Sequence, residues 1–255
     1  MDLPKNHFKA ALLAGQRQIG LWCALSDISA LEMLAGCGYD WILLDGEHTT
    51  TGPAEAIEFL RAVAPYPVTP VVRVVWNDLP LIKKYLDAGA QTILVPFVQN
   101  PAEAEAAVRA VRYAPQGMRG VAGATRASRY GHIENYHARA ADEICLLVQV
   151  ETVEAVAEIE AIAAVEGVDG IFVGPADLAA SLGHYGNTSH PEVKALVLDA
   201  VRRIRAAGKA PGFLVADHDY VREVAEAGAL FVSSDIDYFL LRNAALAARA
   251  KWQDV

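Results

Sequence analysis

The chain is 255 residues long, with 53% hydrophobic residues, 21% charged residues and a net charge of −9. This length and composition exclude a disordered chain and allow one large unit with a sizeable core. The acidic balance argues against a nucleic-acid-binding surface, which needs a basic face.

Short apolar runs alternate with alanine-rich helical patterns along the chain, after a first predicted helix over Asn6–Ala14. The predicted strands are Ile19–Ala24, Trp41–Leu44, Val68–Val74, Thr92–Val95, Cys145–Val150, Gly170–Val173, Ala210–Leu214 and Leu230–Ser233. The predicted helices between and after them include Pro53–Ala64, Pro101–Arg112, Thr152–Ala163, Asp217–Ala227 and Asp237–Lys251.

Eight strands that lack polar alternation, each followed by a helix, are typical of parallel strands buried on both faces. We therefore predict a (β/α)8 barrel, with residues 1–255 as one domain. The alternative, an open doubly wound sheet, would more often carry a Gly-rich dinucleotide loop, and Gly117–Gly123 follows no predicted strand. Tyr113–Tyr136, rich in Arg and Gly, is predicted to be a long functional loop after the fourth strand.

The sequence shows no apolar run long enough to span a membrane and no signal-peptide core at its N-terminus. Cys23, Cys37 and Cys145 are odd in number and include no CxxC pair. We therefore expect three reduced core thiols in a cytoplasmic protein.

In a (β/α)8 barrel the chemistry takes place at the carboxyl ends of the strands. Taken singly, a carboxylate or histidine there could be a helix cap or a core group. Arg73, inside an apolar strand, must be paired, and an ion pair with Asp45 or Glu151 would satisfy it without any part in catalysis. The convergence of six polar side chains on one rim favours a functional site. They are Asp45, His48, Arg73, Gln149, Glu151 and Asp177.

Two segments each contain a short apolar run that ends at a carboxylate. In Leu146–Thr152 the carboxylate is Glu151, and in Gly167–Leu178 it is Asp177. Two carboxylates at one rim can share a divalent cation. Gly174 and the proline after it predict a tight turn before a helix whose first N–H groups would bind an anion. The pattern therefore predicts a metal ion bound at this rim, to which a small carboxylate substrate would coordinate.

Other polar groups are assigned to no site. The lysines end no predicted strand, which argues against Schiff-base chemistry. The arginines of the predicted loop fit a solvated face. The remaining histidines considered lie in predicted loops without metal-ligand spacing: His132, His137, His184, His190 and His218.

Five segments of the chain carry a family resemblance: Trp41–His48, Pro70–Val74, Thr92–Pro96, Val148–Thr152 and Gly170–Leu178. Together they resemble the HpcH/HpaI aldolases, which include the 4-hydroxy-2-oxoheptane-1,7-dioate and 2-keto-3-deoxy-sugar-acid aldolases. The likeness extends from Phe8 to the C-terminal helix. It implies a class II, metal-dependent pyruvate aldolase on a (β/α)8 barrel, assembled as a hexamer (a trimer of dimers).

The resemblance also implies the roles of individual residues. Glu151 and Asp177 would bind Mg²⁺, Mn²⁺ or Co²⁺, Arg73 would be catalytic, and a His48–Asp45 pair would carry out acid–base chemistry. Asp87 would reach the rim of the neighbouring subunit. The implied substrate-binding residues are Gln149, Gly174, Pro175, Ala176, Asp177, Leu214 and Asp87.

These features predict cleavage of a 4-hydroxy-2-oxo acid to pyruvate, or a related 2-oxo acid, plus an aldehyde through a metal-bound enolate. Synthesis would run the same steps backward. A related lyase acting on a CoA thioester is one alternative, but it would need a basic groove for the nucleotide phosphates. A non-catalytic barrel that binds an oxo acid is another, but it needs no proton-transfer pair. Phe213 and the polar Ser233–Asp235 segment are both expected near the barrel mouth, and they leave the identity of the aldehyde open.

Overall fold

Eight parallel strands close into a barrel in which each strand pairs with its neighbours in sequence and β8 returns to β1. The computed structural model describes residues 1–253, so the last two residues of the predicted domain range lie outside the described residues. The (β/α)8 prediction is confirmed, and so is the additional N-terminal helix. The strands are β1 Gln18–Cys23, β2 Trp41–Asp45, β3 Thr69–Arg73, β4 Thr92–Val95, β5 Cys145–Val150, β6 Gly170–Val173, β7 Ala210–Leu214 and β8 Phe231–Ile236.

Helices surround the barrel, and many begin at a residue whose side chain accepts a first-turn backbone N–H, such as Asn6, Asp78 and Asn100. The helices of the described residues are α1 His7–Leu13, α2 Ile28–Ala35, α3 Pro53–Ala62, α4 Leu79–Asp87, α5 Pro101–Val111, α6 Tyr136–Glu143, α7 Val153–Ala157, α8 Ile159–Ala163, α9 Pro175–Ser181, α10 Pro191–Ala206, α11 His218–Glu226 and α12 Asp237–Ala250. None of these helices is both long and apolar enough to cross a membrane.

The helices differ from the prediction at two places. The helix predicted over Thr152–Ala163 is two short helices, because Glu158 leaves the helical conformation at φ −93° and ψ 9°. The loop predicted over Tyr113–Tyr136 lies between α5 and α6, close to its predicted bounds, but the sequence analysis missed α6 itself. Asn135 starts α6 in a left-handed conformation without a side-chain cap, so the usual N-terminal signal is absent.

The barrel interior is filled by large apolar side chains, and α1 adds Phe8 to them. Phe8 packs edge-on against Trp41 and Phe231, with ring centroids 6.1 and 5.7 Å apart. Glycines make room for these rings, because a Cβ at Gly20 or Gly212 would lie 2.1 Å from the ring of Trp41 or Phe231. This apolar packing fills the barrel interior, so the polar side chains of the barrel lie at the carboxyl ends of the strands.

A second, larger cluster lies between the barrel and its helices. Phe213 belongs to it and contacts Tyr220 of α11, with centroids 5.1 Å apart. The expectation that Phe213 lies near the mouth is therefore wrong, because alternate side chains of β7 face opposite sides of the barrel wall. The expectation of three core thiols also fails at one position, since Cys37 is exposed while Cys23 and Cys145 are buried.

Candidate active site

A cavity of about 610 Å³ opens at the carboxyl ends of the strands. Its volume is ample for a small oxo acid and an aldehyde. Apolar walls come from Trp22, Phe172 and Ile236, and the aromatic side chains of Tyr238 and Phe239 add to the lining. Ten of the eleven predicted site residues line it: Asp45, His48, Arg73, Gln149, Glu151, Gly174, Pro175, Ala176, Asp177 and Leu214.

Arg73 is held by two carboxylates and an indole. Its Nε and Nη2 donate to Asp45 Oδ1 and Oδ2 at 2.9 and 2.6 Å. The Trp22 ring lies 4.7 Å beneath the guanidinium carbon, and its N–H donates to Asp45 Oδ2 at 3.2 Å. Burial opposes the ionisation of Asp45, but the bonds and charge of Arg73 outweigh it and lower the Asp45 pKa. The ion pair is thus charged and fixed in direction.

Glu47 is a site residue that the sequence analysis missed. Its Oε2 lies 2.7 Å from Arg73 Nη1. Burial raises the Glu47 pKa, and the charges of Asp45 and Asp177 raise it further against the opposing charge of Arg73. Glu47 stands two residues beyond the end of β2, in a turn, so strand periodicity could not place it. Its position between Asp45 and His48 was the available signal.

Glu151 follows β5 and lies almost fully buried, at 2% exposure. Its Oε1 accepts the Phe97 N–H at 2.8 Å, and its Oε2 accepts the Gln149 side-chain amide at 2.6 Å. Burial, reinforced by the charges of Glu47 and Asp177, raises the Glu151 pKa to about 7. A divalent cation would relieve the repulsion that Glu151 and Glu47 meet from the carboxylates around them.

The turn between β6 and α9 completes this wall. A Cβ at Gly174 would lie 2.6 Å from Glu151 Oε2 and 3.1 Å from Gln149 Nε2, so only glycine leaves the carboxylate its space. Leu178 makes the first α9 bond, to the Gly174 carbonyl at 3.2 Å, so the N–H groups of Ala176 and Asp177 come before the intrahelical ladder. Asp177 is solvent-exposed and lines the cavity.

His48 lies at the opening of the cavity with 66% of its side chain exposed. Its backbone N–H donates to Asp45 Oδ1 at 3.3 Å, and its Nε2 lies 3.9 Å from Glu47 Oε2. The Asp45 carboxylate therefore contacts the backbone of His48 and the Arg73 guanidinium. The predicted acid–base role of the His48–Asp45 pair stays a prediction.

Asp87 is the one predicted site residue outside this cavity. It ends α4, and its Oδ1 accepts a bond from Arg119 Nη2 at 2.7 Å. Helix C-termini and strand carboxyl ends lie on opposite faces of a (β/α)8 barrel. Its predicted role at a neighbouring subunit's rim stays a prediction. The predicted functional loop lies with it: Arg119 is one of its residues, and Arg126 donates to the Ala88 carbonyl.

The donor set fits a hard divalent ion. Glu151, Asp177 and Glu47 supply carboxylate oxygens, and Gln149 Oε1 is buried without a hydrogen-bond partner among the described residues. Oxygen ligands of this kind suit Mg²⁺ or Mn²⁺ and offer no sulfur. The lining includes no lysine that could form a Schiff base.

Comparison with known proteins agrees with this arrangement. The sequence profile described as HpcH/HpaI aldolase/citrate lyase matches residues 18–244. A hydroxypyruvate/pyruvate aldolase from Sagittula stellata is 63% identical over 99% of this chain and 100% of that protein. A 4-hydroxy-2-oxo-heptane-1,7-dioate aldolase from Shigella sonnei is 52% identical over 97% of this chain and 95% of that protein. A crystal structure of a family protein from Burkholderia cenocepacia J2315 superposes with a TM-score of 0.93 at 39% identity, covering 98% of this chain and 100% of that one.

Proposed function

The chain belongs to the HpcH/HpaI aldolase/citrate lyase family, and we propose that it is a class II aldolase acting on 4-hydroxy-2-oxo acids. Cleavage yields a 2-oxo acid and an aldehyde, and synthesis runs the same steps in reverse. The name of the Sagittula stellata relative supports pyruvate and hydroxypyruvate as the 2-oxo acids. The (β/α)8 barrel is the one domain that carries this chemistry.

The observation that carries the proposal is the placement of Arg73, Glu151 and Asp177 around one cavity. A retro-aldol step develops negative charge on the keto oxygen as the carbon–carbon bond breaks. Arg73 uses one N–H each of Nε and Nη2 on Asp45 and places Nη1 beside Glu47. The guanidinium has further N–H groups for a substrate oxygen, and its fixed direction means that it needs no reorganisation during the reaction.

Other residues of the chain bind the substrate and move protons. The 2-oxo acid carboxylate accepts the N–H groups of Ala176 and Asp177 at the start of α9. His48, directly or through water, removes the C4 hydroxyl proton. Its exposure suits a base that exchanges its proton with solvent. Leu214 and Phe172 exclude water from the apolar side of the substrate.

A divalent ion held by Glu151 and Asp177 would polarise the keto group of the 2-oxo acid. We propose Mg²⁺, Mn²⁺ or Co²⁺, since the donors are oxygens. A CoA thioester is disfavoured, because Arg73 is the only lysine or arginine among the lining residues of this cavity.

We propose that the protein assembles as a hexamer, a trimer of dimers. Helix α12 presents Leu241 and Leu246, each 62% exposed, and Asp237 is the buried residue of that helix. Most of this apolar face is therefore left uncovered by its own barrel. An apolar helical face that is open in one chain is best covered by a second.

The direct test measures pyruvate release from a racemic 4-hydroxy-2-oxo acid, with and without a chelator, in parallel with borohydride trapping. Release that the chelator abolishes and Mg²⁺, Mn²⁺ or Co²⁺ restores is the expected result. Full activity in excess chelator, or covalent trapping of pyruvate on a lysine, would refute it.

A further inference from the structure

Two histidines and a glutamate cluster beside the mouth of the cavity, apart from the rim carboxylates. Donor atoms of His184, His190 and Glu192 all lie within 4.8 Å of one another. His184 Nε2 is 2.8 Å from Glu192 Oε2. His190 Nδ1 accepts the backbone N–H of Glu192 at 3.3 Å, so its lone pair points toward the Glu192 backbone and must exchange that bond for the ion.

The sequence analysis left these histidines out for want of ligand spacing, but the fold brings two of them together. Gly183 and Gly186 both have positive φ, 82° and 72°, so the segment turns back on itself. Further turns bring Asn187 N–H to the His184 carbonyl and His190 N–H to the Asn187 carbonyl. Residues six apart therefore meet at the start of α10.

We propose that His184, His190 and Glu192 form a second metal site, which takes Zn²⁺. Two imidazoles and a carboxylate, with a water in the fourth position, are a common zinc ligand set. Nitrogen donors select Zn²⁺ over Mg²⁺ and Mn²⁺, so this site differs from the all-oxygen rim in the ion that it prefers.

The side chains must adjust in two ways to hold the ion. With zinc–nitrogen and zinc–oxygen distances of about 2.1 Å, tetrahedral ligands lie roughly 3.4 Å apart. His184 Nε2 and Glu192 Oε2 are 2.8 Å apart, and 59% of the Glu192 side chain is exposed, so it is free to move outward. The two imidazole rings are stacked at 20° with centroids 3.5 Å apart, so one ring must turn for both lone pairs to converge.

The position gives the site a consequence for the active-site mouth. Gly186, Thr188 and Ser189 line the cavity and lie between the two histidines. An ion bound by both histidines ties the two ends of this segment to α10. Zinc therefore restrains the segment that borders the entrance.

The test titrates Zn²⁺ by calorimetry into the Glu151→Gln variant, which weakens the rim site, and compares histidine substitutions in that background. We expect one zinc per chain, with affinity at least tenfold weaker after His184→Ala or His190→Ala. His218→Ala, an exposed histidine elsewhere, should bind like the parent. His184→Ala matters most, because His190 is also the cap of α10.

Two further measurements follow the ion itself. Co²⁺ in the same background should give the strong visible absorption of a four-coordinate, nitrogen-ligated site, lost with either substitution. Amide exchange of residues 185–189 should slow on zinc binding in the parent but not in His184→Ala. Equal zinc affinity in the parent and both histidine variants would overturn the site, and unchanged exchange with zinc bound would overturn the restraint.

Discussion

Asp45 and Arg73 are register partners at the carboxyl ends of β2 and β3, and their side chains form a buried, two-point ion pair. The register alone puts the two residues side by side, and the Trp22 indole then contacts both. Because two N–H groups of the planar guanidinium bond to the two oxygens of Asp45, the arrangement fixes where the positive charge of Arg73 points. That fixed charge is the centre of the proposed reaction.

Arg73→Lys should lower kcat by roughly two to three powers of ten, the scale of a lost oxyanion donor. Lysine keeps the charge but cannot span both oxygens of Asp45 with a planar fork. Steady-state kinetics measure the loss, and calorimetry should show little change in metal affinity. Arg61→Lys, in an exposed pair with Glu58, is the matched control. Near-normal turnover would reduce Arg73 to a structural ion pair.

Glu151→Gln and Asp177→Asn should abolish both activity and tight binding of divalent ions, because each removes a charged oxygen ligand. Circular dichroism should show the barrel still folded. Glu160→Gln, which alters an exposed carboxylate paired with Arg203, should leave metal binding intact. Metal-dependent turnover that survives in either rim variant would contradict the ligand assignment.

Metal affinity should rise with pH up to about 7 and then level off. Without metal, burial raises the Glu151 pKa from 4.5 to about 7. An acid whose pKa is raised on folding stabilises the native state below its unfolded pKa, and that contribution is lost as pH rises through the folded value. A bound cation favours the ionised form, so binding below pH 7 must release a proton.

Calorimetry in buffers of different ionisation enthalpy counts that proton. We expect close to one proton released per metal at a pH well below 7 and almost none above 8. Glu151→Asp, which keeps a carboxylate but shortens it, should retain proton release at lower affinity. An affinity that is flat across this range would place the Glu151 pKa elsewhere.

His48→Ala should slow carbon–carbon cleavage by roughly two to four powers of ten, the range of a lost general base. Exchange of the pyruvate methyl protons should fall much less, if the main task of His48 is the C4 hydroxyl. Mass spectrometry in D₂O follows the exchange. His218→Ala, an exposed histidine outside the cavity lining, is the control. Equal loss in both assays would make His48 the base for enolisation as well.

The sequence predicts the barrel and the rim well, because strand order and side-chain direction follow from burial along each strand. Four strands, including β5 and β6, have the predicted bounds. The contacts that the sequence could not predict are made by residues in turns outside the strands. Glu47 reaches Arg73 from outside any strand, and His184 meets His190 only because two glycines reverse the chain. Tertiary contacts of this kind leave no periodic signal.

The Arg119–Asp87 pair bears on whether the enzyme prefers anionic or neutral aldehydes. Arg119 is fully buried and bonds to Asp87, which balances its charge. If this corner reaches a neighbouring subunit's rim, Asp87 limits how strongly Arg119 can attract an anionic aldehyde. Asp87→Asn should therefore shift preference toward acidic aldehydes by roughly fivefold, the effect of about 1 kcal/mol of charge–charge energy in a hydrated site.

The shift is measured as the ratio of kcat/KM for an anionic and a neutral aldehyde of equal length, with pyruvate saturating. The KM for pyruvate should stay constant, because Asp87 lies outside the cavity that holds the 2-oxo acid in its own chain. Asp142→Asn, an exposed change on α6, should leave the ratio unaltered. An unchanged ratio in Asp87→Asn would leave Asp87 as a local partner of Arg119, and a fully active monomer by light scattering would contradict the shared rim altogether.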